Sequence, residues 1–210
     1  MLKLIVFDCD GVLFDSKNSN CHFYNHLLQH FGRPAMNEEE LDFVHMHNTS
    51  NSIAHIFRHY PEQDLQEVDR YRLSCDYAPF LQLLEMEKDL VPFLNITHPL
   101  YHLAISTNRT NTMEPLLKSF DLRHYFGKVM TAQNAKRPKP APDALEEILE
   151  YYDCQAEEAI FIGDSIIDQQ HAAACYVPFV AFKNTALQAD YYVNNFMEIL
   201  KLPPFRSSQD

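Results

Sequence analysis

The chain has 210 residues, 46% of them apolar, with 17 basic against 29 acidic side chains and a formal net charge of −12. At roughly 150 residues per domain this is one or two domains, long enough to bury a core without disulfides or a structural metal. Such acidity argues against a nucleic-acid backbone or an anionic membrane surface as a partner, and no apolar run approaches the roughly 18 residues of a membrane span.

The chain opens on Leu2–Phe7, an apolar and partly β-branched run that reads as a buried parallel strand ending in acids. Its apolar core, Leu4–Phe7, is too short before Asp8 for a secretory signal. The cysteines, Cys9, Cys21, Cys75, Cys154 and Cys175, are odd in number and hold no CxxC pair. They read as reduced thiols of a cytoplasmic protein. Residues 16–80 carry helical periodicity instead. Tyr24, Leu27, Leu28 and Phe31 share one helix face, Ile53, Ile56, Phe57 and Tyr60 repeat the spacing, and residues 64–75 continue as helix. Leu81–Leu94 reads as a helix broken near Pro92.

From there strands and helices alternate. Strands are predicted at Leu103–Ser106, Lys128–Thr131, Ala159–Ile162 and Pro178–Phe182. Helices are predicted at Thr112–Phe120, at Asp143–Tyr152 with Asp143 as its cap, and at Ser165–Cys175. The tail Pro203–Asp210 reads as polar and frayed. The expected fold is α/β: a Rossmann-like parallel sheet with helices on both faces, formed by residues 1–15 and 81–210. A small all-helical domain, 16–80, is inserted after the first strand.

In open α/β sheets the site lies off the carboxyl ends of the strands. Those ends carry Asp8-Cys9-Asp10-Gly11, then Thr107-Asn108-Arg109, then Lys139 in a proline-rich loop, then Gly163-Asp164-Ser165 with Asp168. Gathered carboxylates repel unless a cation sits among them, and a hard divalent ion, most simply Mg²⁺, meets that need. A hydroxyl and a lysine beside such an ion suit a phosphoryl group. Each signal alone is common, as a solvated turn or a helix cap; four of them in order at four strand ends are not.

Together these segments resemble the haloacid dehalogenase superfamily of phosphohydrolases along nearly the whole chain. Asp8 to Ser16 looks like its first motif and Thr107-Asn108 its second. Lys139-Pro140-Ala141-Pro142-Asp143 looks like the third, and Gly163-Asp164-Ser165-x-x-Asp168 the fourth. The helical insert and the segment Ala189–Val193 are similar to the phosphoglycolate phosphatase and β-phosphoglucomutase branch. Two departures bear on local backbone: Tyr176 stands where a glycine usually ends the helix after the fourth motif, and Met86-Glu87 where a Pro-Gly pair is usual.

The resemblance implies Asp8 as nucleophile forming an aspartyl-phosphate, and Asp10 as the acid that protonates the leaving alcohol and then activates water. It implies Mg²⁺ held by Asp8, the Asp10 carbonyl and Asp164, phosphoryl oxygens held by Thr107, Asn108 and Lys139, and Asp168 in support of Lys139 or a metal water. An acid at Asp10 is expected of C–O–P hydrolysis rather than dehalogenation or phosphonate cleavage.

Other features carry less. His22, His26 and His30 form one helical stripe, and His55 and His59 repeat it. Such spacing can bind zinc, though it more often marks a solvated face. Arg109 is set either to reach a substrate anion or to pair with a surface acid, and Arg137 is a weaker candidate. His47–Asn51 is a polar break between helices that suits leaving-group recognition. Phe43, Phe57 and Tyr71 read as core of the insert. The expected activity is Mg²⁺-dependent hydrolysis of a small phosphomonoester by a monomer or small homo-oligomer. A sugar phosphomutase of the same fold and a phospho-aspartate signalling switch are the alternatives.

Overall fold

The computed structural model describes residues 1–206. In chain order its elements are β1 (Leu4–Phe7), β2 (Phe14–Asp15), α1 (Lys17–His30), α2 (Glu38–Met46), α3 (Thr49–Ile56), α4 (Leu65–Ser74), α5 (Ala78–Leu81) and β3 (Glu85–Met86). There follow α6 (Leu90–Thr97), β4 (His102–Ser106), α7 (Met113–Ser119), β5 (Lys128–Met130), α8 (Asp143–Tyr151), β6 (Ala159–Gly163), α9 (Ile166–Ala174), β7 (Phe179–Phe182), β8 (Tyr191–Val193), α10 (Phe196–Ile199) and α11 (Pro203–Arg206).

Six strands form a parallel sheet in the order β5-β4-β1-β6-β7-β8. The central strand β1 is buried at every residue. Its side chains alternate between faces, as the pleat requires. Leu4 and Val6 join Phe161, Leu145, Ile148 and Ala172 in a core with α8 and α9. Phe7 points the other way and meets Phe93 of α6, Phe126 and Phe196 of α10 at ring centroid distances of 5.8–6.2 Å. Helices therefore cover both faces. The register sets Phe7 level with Ile105 and with Ile162. The residues that follow β1, β4 and β6 thus emerge in step at one edge of the sheet, the edge where such folds bind ligands.

The chain divides into two compact units, Met1–Phe14 with the chain from Met86 onward, and Asp15–Glu85. The second unit is helical apart from Asp15 of β2 and Glu85 of β3 at its ends and the turns between helices. Its core gathers Phe23, Tyr24, Leu27 and Leu28 of α1 with Val44, Ile53, Ile56, Phe57 and Val68. α2 begins with a reciprocal cap in which Asn37 Oδ1 accepts from Glu40 N–H and Glu40 accepts from Asn37 N–H. Phe43 is not core: it is half-buried, with the rings of His47 and His55 stacked against it at 3.8 Å each. Tyr71, by contrast, packs against that core and also stacks on His30 at 3.5 Å.

Several boundaries differ from the sequence expectation. The return to the α/β unit comes at Met86 rather than residue 81, because α5 stays with the helical unit, where Phe80 packs on its core. Leu81–Leu94 is not one interrupted helix: β3 intervenes, and Pro92 sits in the first turn of α6, where a missing N–H costs nothing. Asp143 is the first residue of α8 rather than its cap; Pro142 precedes it, and the Asp143 carboxylate is given to Arg137. His47–Asn51 is only in part a break, since Asn48 caps α3 through Asn51 N–H and residues 49–51 are already helical. The segment Pro203–Arg206 is helical with Phe205 buried, while residues 207–210 of the expected tail lie outside the described residues. Strand β8 and helices α10 and α11 went unpredicted as elements.

Tyr176 keeps the helix-ending geometry that a glycine would favour. Its φ is +57°, and the N–H groups of Tyr176 and Val177 return to the carbonyls of Ala173 and Ala172. This is the left-handed helix stop in which a side chain costs about 1 kcal/mol. Tyr176 is 88% exposed, so its side chain contributes little packing in return. Tyr176→Gly is therefore expected to raise unfolding free energy by about 1 kcal/mol, read by urea denaturation; a loss of stability would show that the ring makes contacts worth more than the strain.

Candidate active site

The loop after β1 is a tight turn: Gly11 N–H donates to the Phe14 carbonyl, and the N–H groups of Leu13 and Phe14 both donate to that of Cys9. Gly11 has φ +79°, and a Cβ there would lie 2.0 Å from Asp164 Oδ2. Only glycine lets the Asp164 carboxylate fold over this loop. At Gly163 a Cβ would lie 2.4 Å from that of Asp168. Gly11 thus lets an acid from another strand end lie over its loop, and Gly163 lets Asp168 fold back against the end of the strand that precedes it.

Asp8, Lys139 and Asp168 form a buried row. Lys139 Nζ lies 2.6 Å from Asp168 Oδ1 and 2.8 Å from Asp8 Oδ1. The Asp168 contact is a hydrogen bond, whereas the Asp8 contact is an ion pair without hydrogen-bond alignment, and that buried Asp8 oxygen has no hydrogen-bond partner. The other Asp168 oxygen accepts from Ser165 Oγ–H at 2.7 Å and from the N–H groups of Ser165 and Asp164. Asp168 is fully buried with both oxygens engaged. It orients Lys139 and staples the start of α9, where Ser165 is the cap.

The electrostatics follow from burial. Burial raises the Asp8 carboxyl, and Asp168 raises it further against the opposing pull of Lys139, to about 7. Burial, then Asp168 and Asp8, push Asp164 well above the ordinary carboxylate range. For Lys139, burial pulls down, but Asp168 and Asp8 outweigh it and leave the ammonium above its ordinary value.

One carboxylate oxygen each from Asp8, Asp164 and Asp168 lies within 4.8 Å of the others. Among the described residues this is the one group of three acid, His or Cys ligands so placed. With Asp168 committed to Lys139 and Ser165, the Asp8 and Asp164 carboxylates are the donors that remain. A hard oxygen set with raised proton affinity fits a divalent cation. The histidine stripe of the helical unit forms no such group. His22 Nδ1 bonds the Asn18 carbonyl, His26 Nε2 bonds the Tyr71 hydroxyl at 2.9 Å, and His30 stacks on the same tyrosine.

Thr107 is buried and its Oγ1 accepts from Arg109 N–H, which leaves the hydroxyl proton to donate. Asn108 donates from Nδ2 to the Lys139 carbonyl, and its buried Oδ1 has no hydrogen-bond partner. Arg109 is not a surface group. Its guanidinium grips Asp10 with both arms, Nε to Oδ2 at 2.8 Å and a terminal nitrogen to Oδ1 at 2.6 Å. Arg137, by contrast, is exposed and pairs with Asp143. The structure thus brings Asp8, Lys139, Asp164 and Asp168 into direct contact range, with Thr107 and Asn108 on the neighbouring strand end and Asp10 under Arg109.

Two hydrogen-bonding groups beside the site were not read from the sequence. Asn184, after β7, donates to the Asp164 carbonyl at 2.7 Å. His171 on α9 bonds Ser106 and Ala141. A histidine three residues past Asp168, among small apolar neighbours on a packed helix, was the available signal for the second.

The family model of haloacid dehalogenase-like hydrolases matches residues 5–182. The chain belongs to the haloacid dehalogenase-like hydrolases. A solved structure from Geobacter sulfurreducens, described as a hydrolase of that superfamily, subfamily IA, is 34% identical with a TM-score of 0.84, covering 96% of this chain and 99% of that one. A phosphoglycolate phosphatase of Aliivibrio fischeri is 28% identical over 83% of this chain and 82% of its own length. A pyrophosphatase of Bacillus mycoides is 25% identical over 78% of this chain and 75% of its own.

The raised Asp8 carboxyl has a consequence for stability. In the unfolded chain Asp8 loses its proton near 3.8, in the fold only near about 7. Between those values the native state holds the extra proton, so this group's contribution to stability falls as pH rises through the window. In EDTA, Asp8→Asn is expected to be more stable than wild type near neutral pH, the advantage vanishing toward about pH 4. MgCl₂ at a hundredfold excess over Kd is expected to stabilise wild type by about 2.7 kcal/mol and Asp8→Asn or Asp164→Asn far less. Thermal melts check both, and a pH-independent difference between wild type and Asp8→Asn would rule out the raised carboxyl.

Proposed function

We propose that this chain hydrolyses a small phosphorylated metabolite, as a phosphoglycolate phosphatase does, with Mg²⁺ at Asp8 and Asp164 and a phosphorylated Asp8 as intermediate. The chain is a phosphoric monoester hydrolase. The observation that carries the reading is the Asp8 carboxylate at the end of β1, held 2.8 Å from the Lys139 ammonium and beside Asp164.

The Asp8 carboxylate attacks phosphorus, an oxygen–phosphorus bond forms on Asp8, and the ester bond to the leaving alcohol breaks. Asp10 gives its proton to the departing alkoxide. Asp10 then takes a proton from water, whose oxygen attacks the phosphorus of the aspartyl-phosphate and returns free phosphate and the Asp8 carboxylate. Thr107 Oγ–H, the backbone of Asn108 and Lys139 bind the phosphoryl oxygens through this sequence. Bound Mg²⁺ supplies positive charge that offsets repulsion between Asp8 and the anionic ester. Asp8 must enter as the anion, and neighbouring positive charge draws its raised pKa down.

Asp10 is tied to Arg109 by two hydrogen bonds, so proton transfer requires that pair to open. The five cysteines are unpaired, in keeping with a cytoplasmic setting. Among the described residues no helix is long and apolar enough to cross a membrane.

Phosphate release from p-nitrophenyl phosphate, phosphoglycolate, sugar phosphates and pyrophosphate, with and without Mg²⁺, tests the reading. Release is expected to depend on Mg²⁺ and to be abolished in Asp8→Asn. Asp10→Asn is expected to lower turnover by about 10²–10⁴-fold while leaving phosphate binding in place. Persistent activity in Asp8→Asn would exclude it as nucleophile. No release from wild type, with a long-lived phosphate on Asp8, would favour the mutase or the signalling switch.

A further inference from the structure

His171 lies on α9, three residues past Asp168, and is fully buried. Its Nδ1 is 2.7 Å from the Ala141 carbonyl oxygen and its Nε2 is 2.9 Å from Ser106 Oγ. A carbonyl oxygen only accepts, so Nδ1 carries the proton. Burial, with the positive Lys139 in second place, lowers the ring's pKa to about 4. The ring is therefore neutral near pH 7, Nε2 is an acceptor, and Ser106 Oγ–H donates to it. The ring of Phe161 meets the imidazole edge-on at 5.3 Å.

Both partners border phosphate-binding candidates. Ser106 ends β4 and immediately precedes Thr107, while Ala141 is two residues past Lys139. The helix that carries the imidazole also carries Asp168, which holds Lys139 at 2.6 Å. Three strand-end segments far apart in sequence are thus joined through one ring. The imidazole is fully buried, and both of its nitrogens are spent on hydrogen bonds to other segments. A buried polar ring with both nitrogens engaged costs desolvation that an apolar side chain avoids.

We propose that His171 is a positioning residue: through Ser106 and Ala141 it sets the spacing between Thr107 and Lys139, so that both reach the same phosphoryl group. This rests on the reading of Thr107 and Lys139 as phosphate-binding. Misplacement of reacting groups by about 1 Å can lower a rate by about 10²-fold, and a neutral ring held by two directed hydrogen bonds gives the precision that prevents it.

The test compares wild type with His171→Leu, His171→Asn and Ser106→Ala, with activity referred to the folded fraction. Asparagine offers an amide N–H where Nδ1 stands and so keeps the bond to Ala141. His171→Leu is expected to lose about 10²-fold in kcat, with a raised KM and weaker inhibition by inorganic phosphate. His171→Asn is expected to recover about tenfold of that loss, and Ser106→Ala to fall between wild type and His171→Leu. Amide hydrogen exchange at residues 107–109, at Lys139 and at Ala141 should quicken together in His171→Leu while β1 stays protected.

A purely structural role would lower Tm but leave kcat and phosphate inhibition per folded molecule unchanged; that result, or His171→Asn no better than His171→Leu, overturns the proposal. If His171→Leu fails to fold, His171→Asn and Ser106→Ala decide by the same readouts. If wild type hydrolyses no ester, the phosphate-site reading fails on its own. The exchange data then decide whether His171 holds the two loops, and unchanged exchange overturns it.

Discussion

The buried ammonium of Lys139 is what allows the rest of the site to exist. Three carboxylates, those of Asp8, Asp164 and Asp168, crowd within 4.8 Å at the end of the sheet, and a single lysine from another strand end is placed among them. A buried ion pair gives little net stability once desolvation is counted, but removing one member leaves an uncompensated charge at a cost of several kcal/mol. Lys139 therefore acts less as a source of stability than as the condition under which the acids can be brought together. Asp168 completes the arrangement by holding the ammonium with one oxygen and the start of α9 with the other.

Around that centre, two neighbouring aspartates are placed in opposite environments. Asp8 is buried near other acids, and its carboxyl is pushed up to about 7. Asp10, two residues on, is clasped by the guanidinium of Arg109. The pleat of β1 and the turn that follows it produce this separation, with Gly11 at φ +79° turning the chain between Asp10 and Phe14. Two carboxyl groups of one chemical type are driven toward different roles by what surrounds them, as paired acids in hydrolytic sites commonly are.

The strands were legible because a parallel sheet covered on both faces leaves short apolar runs with acids or hydroxyls at their ends. The helical faces of the second unit were legible for the complementary reason: one side of α1 is apolar and the other polar. Where the apolar pattern was continuous, as from Leu81 to Leu94, periodicity could not show that a short strand and a turn intervene before α6. The Asp10–Arg109 clasp spans 99 residues, so no local spacing announces it. His171 was hidden for a different reason. A lone histidine on a helix gives no sign of which two carbonyl or hydroxyl groups it will meet, and both of its partners come from other strand ends. Phe43 shows the reverse error, an aromatic assigned to a core because of its type, when its faces are covered by two histidine rings.

The site and the fold therefore draw on different parts of the sequence. Asp8 and Asp164 have raised proton affinities because burial and like charge oppose their ionisation, so the folded state without a cation is less stable for holding them. What offsets this lies one or two residues away. β1 is buried over its whole length, and Phe7, next to Asp8, is packed among Phe93, Phe126 and Phe196. The strain is confined to the strand ends because the strands themselves are held on both faces and in register. A chain with weaker packing at β1 could not gather these acids. A chain with the same packing but no Lys139 would gain by turning them outward, which makes the lysine, rather than any one acid, the group that ties this fold to its chemistry.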